Sequence, residues 1–113
     1  MLSEQSRRAL LDMLENATAA REFTDGLSFE AFAADRRTFY AGIRCLEIIS
    51  EASRRVDTAT MARHPEVPWR EMADAGNVYR HRYDNISARL VWRTVLDRLP
   101  DVIAVCQAEL SLG

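Results

Sequence analysis

The sequence predicts an all-α protein, an antiparallel bundle of four to five helices forming a single domain over residues 1–113. Three observations predict it. Apolar residues recur every three to four positions along several separate stretches, the spacing of a helix face turned towards a core. Only four glycines and three prolines occur in 113 residues, which leaves little room for irregular chain. No stretch alternates apolar and polar residues as a half-buried strand does. A chain of this length can bury a core without disulfides or a metal.

The first helix starts at Ser3, with Glu4 and Gln5 behind it as favourable first-turn residues. Leu10, Met13, Leu14, Ala17 and Ala20 carry it to about Glu22, and Asp25-Gly26 is a turn signal. Ser28 caps a second helix. It is expected to be long: Phe29 and Phe32 open it, and Phe39, Ile43, Leu46, Ile49 and Ser50 continue the stripe towards Val56. Asp57 to Pro68 reads as the longest connection, with His64 a surface residue beside Pro65. Pro68 suits the first position of a third helix, with Trp69, Met72, Ala73 and Gly76 facing inward. Asp84-Asn85 breaks the chain again, and Ser87 caps a fourth helix carrying Ala88, Val91, Trp92, Val95 and Leu99 on its buried side. Pro100 either kinks that helix or starts a fifth, and Val102, Ile103, Cys106 and Leu110 resume the pattern. The expected core is Leu14, Ala17, Ile43, Leu46, Trp69, Met72, Trp92 and Val95.

Apolar residues make up 48% and charged residues 28%, an ordinary globular mixture. The formal net charge of −2 excludes a global electrostatic pull on nucleic acid. An RNA contact therefore needs a local basic patch, for which Arg80, Arg82 and Arg89 are the candidates. Cys45 and Cys106 sit inside helical apolar patterns without metal-ligand spacing, as free core thiols of a reducing compartment do. The N-terminal residues contain acids and no long apolar run, unlike a signal peptide. Nothing approaches the roughly 20 apolar residues of a membrane span. These features point to a cytoplasmic protein with no membrane partner.

The chemistry-bearing residues concentrate in Ala75-Gly76-Asn77-Val78-Tyr79-Arg80-His81-Arg82-Tyr83. Asn77 and His81 stand at i and i+4, which places them on one helical face. Arg70, Asp74, Asn77 and His81 form a polar stripe opposite the apolar side. His81 can act as base, acid or structural hydrogen-bonding group, and histidine titrates near neutrality. Arg80 can clamp a phosphate with paired donors or simply remain solvated. Asn77, a mediocre helix former, can orient the imidazole or bind a phosphate oxygen. Glu51 is a supporting candidate on the second helix. The two histidines make no metal motif, and no phosphate-cradling loop or nucleophile elbow is present. The residues read bottom-up thus give a helical bundle with a polar His/Arg/Asn site and no cofactor.

The run Trp69-Arg70-Glu71-Met72, then Gly76-Asn77-Val78-Tyr79-Arg80-His81-Arg82-Tyr83, resembles the HepT-like branch of the HEPN superfamily. Cys45 to Ala52 resembles that family's long-helix segment and His64 to Trp69 its connector, so the likeness extends from about Arg37 to Leu110. The resemblance implies a dimeric bundle that brings two motif helices together at one cleft. It also implies a metal-independent RNA endonuclease, the toxin of a type II-like or type VII-like toxin–antitoxin pair whose partner is a small nucleotidyltransferase antitoxin. By residue-level transfer, His81 is the expected catalytic histidine and Asn77 the polar residue that follows the family arginine. Arg80 is expected to supply the cation from a different place. His81, Arg80 and Asn77 are thus the expected catalytic residues, with Arg80 and Arg82 as the basic residues that bind RNA. Tyr83 becomes the tyrosine open to adenylylation. The family's arginine, five residues before the histidine, would fall at position 76, where this chain has Gly76. That departure supports an alternative: a catalytically degenerate module that binds a partner nucleotidyltransferase or a nucleotide.

Overall fold

The computed structural model describes residues 2–81 and 86–112, without the side chains of Arg80 and His81. Seven α-helices appear among the described residues, and no strand. They are α1 (Glu4–Thr24), α2 (Phe29–Ala34), α3 (Arg36–Ser53), α4 (Thr58–Arg63), α5 (Trp69–His81), α6 (Ala88–Arg93) and α7 (Leu99–Leu112). A π-helical turn, Thr94–Arg98, joins α6 to α7 into one continuous rod. The long members of the bundle are α1, α3, α5 and this rod; α2 and α4 are short helices within connections. The core packs α3 between α1 and α5, with α7 closing on α1.

Each start follows from its cap. Ser3 accepts from the Ser6 N–H, Ser28 from Ala31 and Ser87 from Leu90, at 3.0–3.1 Å, satisfying amides that a helix start leaves without partners. The α1 helix runs on to Thr24, whose hydroxyl bonds back to the Ala20 carbonyl at 3.0 Å.

The expected second helix is broken. Asp35, at φ −102° and ψ 102°, separates α2 from α3. Its carboxylate accepts from the Arg37 N–H at 3.1 Å and from Thr38 Oγ1 at 2.7 Å. An aspartate that bonds to nearby backbone competes with the helix interior and favours a cap. The Asp57–Pro68 connection is likewise not all loop, because Asp57 caps α4 by accepting from Thr60 N–H and Oγ1. Pro68 precedes the first residue of α5 and offers its carbonyl to the Met72 N–H at 2.9 Å.

Pro100 lies at the second residue of α7, directly after the π turn. A proline has no N–H to donate and its ring crowds the preceding turn. A widened turn ahead of it keeps the rod continuous, so Pro100 neither ends the helix nor opens a separate one.

Ala17, Ile43, Leu46 and Val95 are core residues as expected. Leu14, Trp69, Met72 and Trp92 are only partly buried and pack against the core from its margin. The fully covered large side chains are instead Leu10, Met13, Phe32, Ile49, Val91 and Leu99. Both cysteines are buried and free, and burial pushes the Cys106 thiol up to about 12.

His64 is not a surface residue: its side chain is 17% exposed, and Nε2 lies 2.6 Å from Oε2 of Glu109 on α7. Glu109 also accepts from Arg63 Nη2 at 2.7 Å and Nε at 3.2 Å. These bonds, that from Arg63 first, hold the Glu109 carboxyl down to about 2 from 4.5 although burial opposes ionisation. A carboxyl depressed in the folded state contributes stability that is present above its unfolded value and lost as pH falls towards the folded one. The stability difference between the parent and Glu109→Gln in urea titrations should therefore shrink as pH falls from about 4.5 to about 2. A difference that stays constant across that window would show that the ion pairs contribute nothing.

Candidate functional site

The helix that carries the motif presents three faces. Ala73 and Gly76 lie against Ser50 of α3, Arg70, Asp74 and Asn77 are exposed, and Met72, Ala75, Val78 and Tyr79 line an apolar groove. The expected polar stripe is thus present as far as Asn77. The backbone of α5 continues in helical geometry to His81, one turn beyond Asn77. The side chains of Arg80 and His81, and Arg82 and Tyr83 entirely, lie outside the described residues. Glu51 is exposed on α3, immediately after Ser50.

Two fixings hold this helix, and neither was anticipated. Ser50, buried in α3, donates its hydroxyl to the Ala73 carbonyl at 3.0 Å and accepts from the Gly76 N–H at 2.9 Å. Arg54, the C-cap of α3, donates to the same Ala73 carbonyl through Nη2 at 2.8 Å and Nε at 3.2 Å. Ser50 sits within the apolar stripe of its helix, and a lone serine in such a stripe signals a buried hydrogen bond, since buried hydroxyls need partners. Gly76 is buried at this contact, so position 76 serves helix packing and not the exposed stripe.

The second fixing is Tyr79, buried and sharing the groove wall with Thr94 at the start of the π turn. Burial raises its phenol above the usual range, with the neighbouring Thr94 hydroxyl opposing. Thr94 in turn donates to the Leu90 carbonyl at 2.8 Å. Asn77 therefore stands between a turn bonded to Ser50 and the buried Tyr79.

Beside the stripe lies the groove, about 310 Å³, walled by α5, by Leu46 and Ile49 of α3 and by Leu90, Thr94, Leu99 and Val102 of the rod. Val78 and Leu90 expose 44% and 49% of their surface there. Among the described residues no group of three or more His, Cys, Asp or Glu could hold a metal ion. No described helix is long and apolar enough to cross a membrane.

Comparison with known proteins decides the family. The family model "Ribonuclease HepT-like" matches residues 13–109. The chain belongs to the HepT-like ribonuclease family. The "Probable ribonuclease HepT" of Thermococcus cleftensis is 40% identical over 82% of this chain and 84% of its own. The "Putative RNase MJ1380" of Methanocaldococcus jannaschii is 36% identical over 89% and 94%. The "Putative RNase TTE0752" of Caldanaerobacter subterraneus subsp. tengcongensis is 32% identical over 85% and 86%. No solved structure matches the chain. The matched span includes α5 and both of its fixings, so the HepT-like resemblance and the observed site fall on the same helix.

Truncating Tyr79 tests the second fixing. Tyr79→Ala should cost roughly 3–5 kcal/mol, the scale of removing a large buried aromatic side chain, read by urea denaturation. A variant as stable as the parent would leave the packing of Tyr79 without energetic weight.

Proposed function

We propose that this HepT-like protein is a metal-independent RNA endonuclease, the toxin of a toxin–antitoxin pair, working as a homodimer with a small nucleotidyltransferase antitoxin as partner. The observation that carries the reading is the family match laid over an exposed polar stripe on an anchored helix, with His81 one turn after Asn77. The apolar groove beside the stripe, with exposed Val78 and Leu90, supports a second copy docking along the same helix.

The chemistry asks little of the protein. His81, as base, takes the proton of a ribose 2′-hydroxyl, and that oxygen attacks the adjacent phosphorus. The bond from phosphorus to the 5′-oxygen breaks, and an acid, the second protomer's histidine in a dimer, protonates the leaving oxygen. Arg80 stabilises charge on the pentacoordinate phosphate, Arg82 holds the flanking backbone, and Asn77 orients the imidazole or a phosphate oxygen, with Glu51 in support. Tyr83 is the site for adenylylation by the partner: an added phosphate would pair with Arg80 and Arg82 in place of RNA.

A second reading rests on Gly76. The position where the resemblance implies an arginine is buried and bonded to Ser50, which favours a non-cutting module that holds the nucleotidyltransferase or a nucleotide.

One assay separates the two. Purified parent, incubated with single-stranded RNA in excess chelator, should cleave it; His81→Ala should lose at least a hundredfold in rate, the scale of general acid–base catalysis, and Arg80→Ala should also be impaired. Cleavage by His81→Ala at the parental rate would refute the catalytic assignment. A parent that binds RNA without cutting it supports the second reading.

A further inference from the structure

Away from the motif helix, at the corner where α2, α3 and α6 meet, five aromatic rings run in unbroken contact. Phe29 meets Trp92 edge-on with centroids 6.1 Å apart, Trp92 meets Phe32 at 5.2 Å, Phe32 meets Phe39 at 6.1 Å, and Phe39 meets Tyr40 at 5.7 Å. Phe32, in the middle, is fully buried, while Tyr40 at one end is 44% exposed. The buried middle fixes the end rings in place.

Each end carries an arginine against its ring. The Arg89 guanidinium lies 4.2 Å from the Phe29 centroid. That of Arg36 lies 5.6 Å from the Tyr40 centroid, and its Nη2 donates to the Tyr40 hydroxyl at 3.3 Å. Arg37 and Arg93 are exposed beside them, Arg93 one turn after Arg89 on α6. Among the described residues, none of these four arginines is in an ion pair. The acidic groups on α2 and at its end are Glu30 and Asp35, and the Asp35 carboxylate is occupied by the Arg37 N–H and Thr38. A chain of net charge −2 therefore concentrates cationic and aromatic groups at one corner.

Guanidinium forks match phosphate oxygens, and a guanidinium seated on a ring keeps an outer face open to a base. Aromatic and arginine planes accept any base, because every base has a π face, but only when the bases are unpaired. We propose that this corner is a second RNA-contact surface, a stacking platform for single-stranded RNA built on the Arg36–Tyr40 and Arg89–Phe29 pairs. It rests on the ribonuclease reading above and adds to it where the strand lies beyond the cleavage point. Arg89 follows His81 by eight residues, which limits their Cα separation to about 29 Å, a span of a few nucleotides.

Fluorescence anisotropy with a labelled 2′-O-methyl single-stranded RNA tests the platform, since the blocked 2′-oxygen lets binding be read without cleavage. The double variant Arg36→Gln/Arg89→Gln should bind at least tenfold more weakly than the parent. Its dependence of log affinity on log salt should flatten by about 1.4, two phosphates at roughly 0.7 each for a single strand. Tyr40→Ala should weaken binding about fivefold, and Arg7→Gln on α1 should stay within twofold. Arg36→Lys/Arg89→Lys should keep the parental salt slope while losing affinity, which separates stacking from charge and guards against misfolding of the glutamine variant. Double-variant binding within twofold of the parent, or an equal loss in Arg7→Gln, would overturn the platform and leave the ribonuclease reading intact. A parent that binds no RNA would overturn both.

Discussion

A single buried hydroxyl couples the motif helix to the rest of the bundle. Ser50 meets the α5 backbone at both Ala73 and Gly76, so the two helices are held in register by main-chain atoms and not only by side-chain packing. Arg54 reinforces the same carbonyl from the solvent side. Buried polar contacts of this kind specify one arrangement, because a buried hydroxyl left without partners costs about 1–3 kcal/mol. With that register set, Arg70, Asp74 and Asn77 face solvent and Met72, Ala75 and Tyr79 face the groove. The polar stripe is exposed because the opposite side of the helix is committed.

Both ends of the motif helix are held by other means. At its entry, the Trp69 indole N–H donates to the His64 carbonyl at 3.0 Å, and His64 is tied through Glu109 to α7. Further along, Tyr79 is buried and shares the groove wall with Thr94 of the π turn. Pro100, by requiring that widened turn, thus shapes the segment against which Tyr79 rests. The helix is fixed by contacts from α3, from the connector and from the α6–α7 rod together. Such a mounting keeps the side chains of the helix in one geometry.

Helical periodicity made the all-α bundle legible, as did the serine caps at residues 3, 28 and 87 and the exposed stripe on α5. These are local properties, written in spacing and composition. What escaped is long-range or competitive. Asp35 interrupts an apolar stripe that periodicity alone carries through, because its side chain bonds locally to Arg37 and Thr38. His64 looked exposed because its partner, Glu109, is 45 residues away. Ser50 looked like one more member of a stripe because its partners are backbone atoms, which a sequence does not display. Trp69 and Trp92 are large enough to be expected in the centre, yet they cap its edge, where the indole of Trp69 reaches a carbonyl. Of the site itself, the periodicity located Asn77 and the exposed face, while the family resemblance gave the roles.

The most direct test of the α3–α5 coupling is native-state hydrogen exchange at the Gly76 amide, compared between the parent and Ser50→Ala. In the parent, Gly76 should exchange only with global unfolding, like the core amides of α3. In Ser50→Ala its protection should fall at least tenfold further than that of the α1 core amides, with α5 loosening locally. Equal protection of Gly76 in both proteins, relative to global stability, would contradict the coupling and detach the motif helix from the contact assigned to hold it.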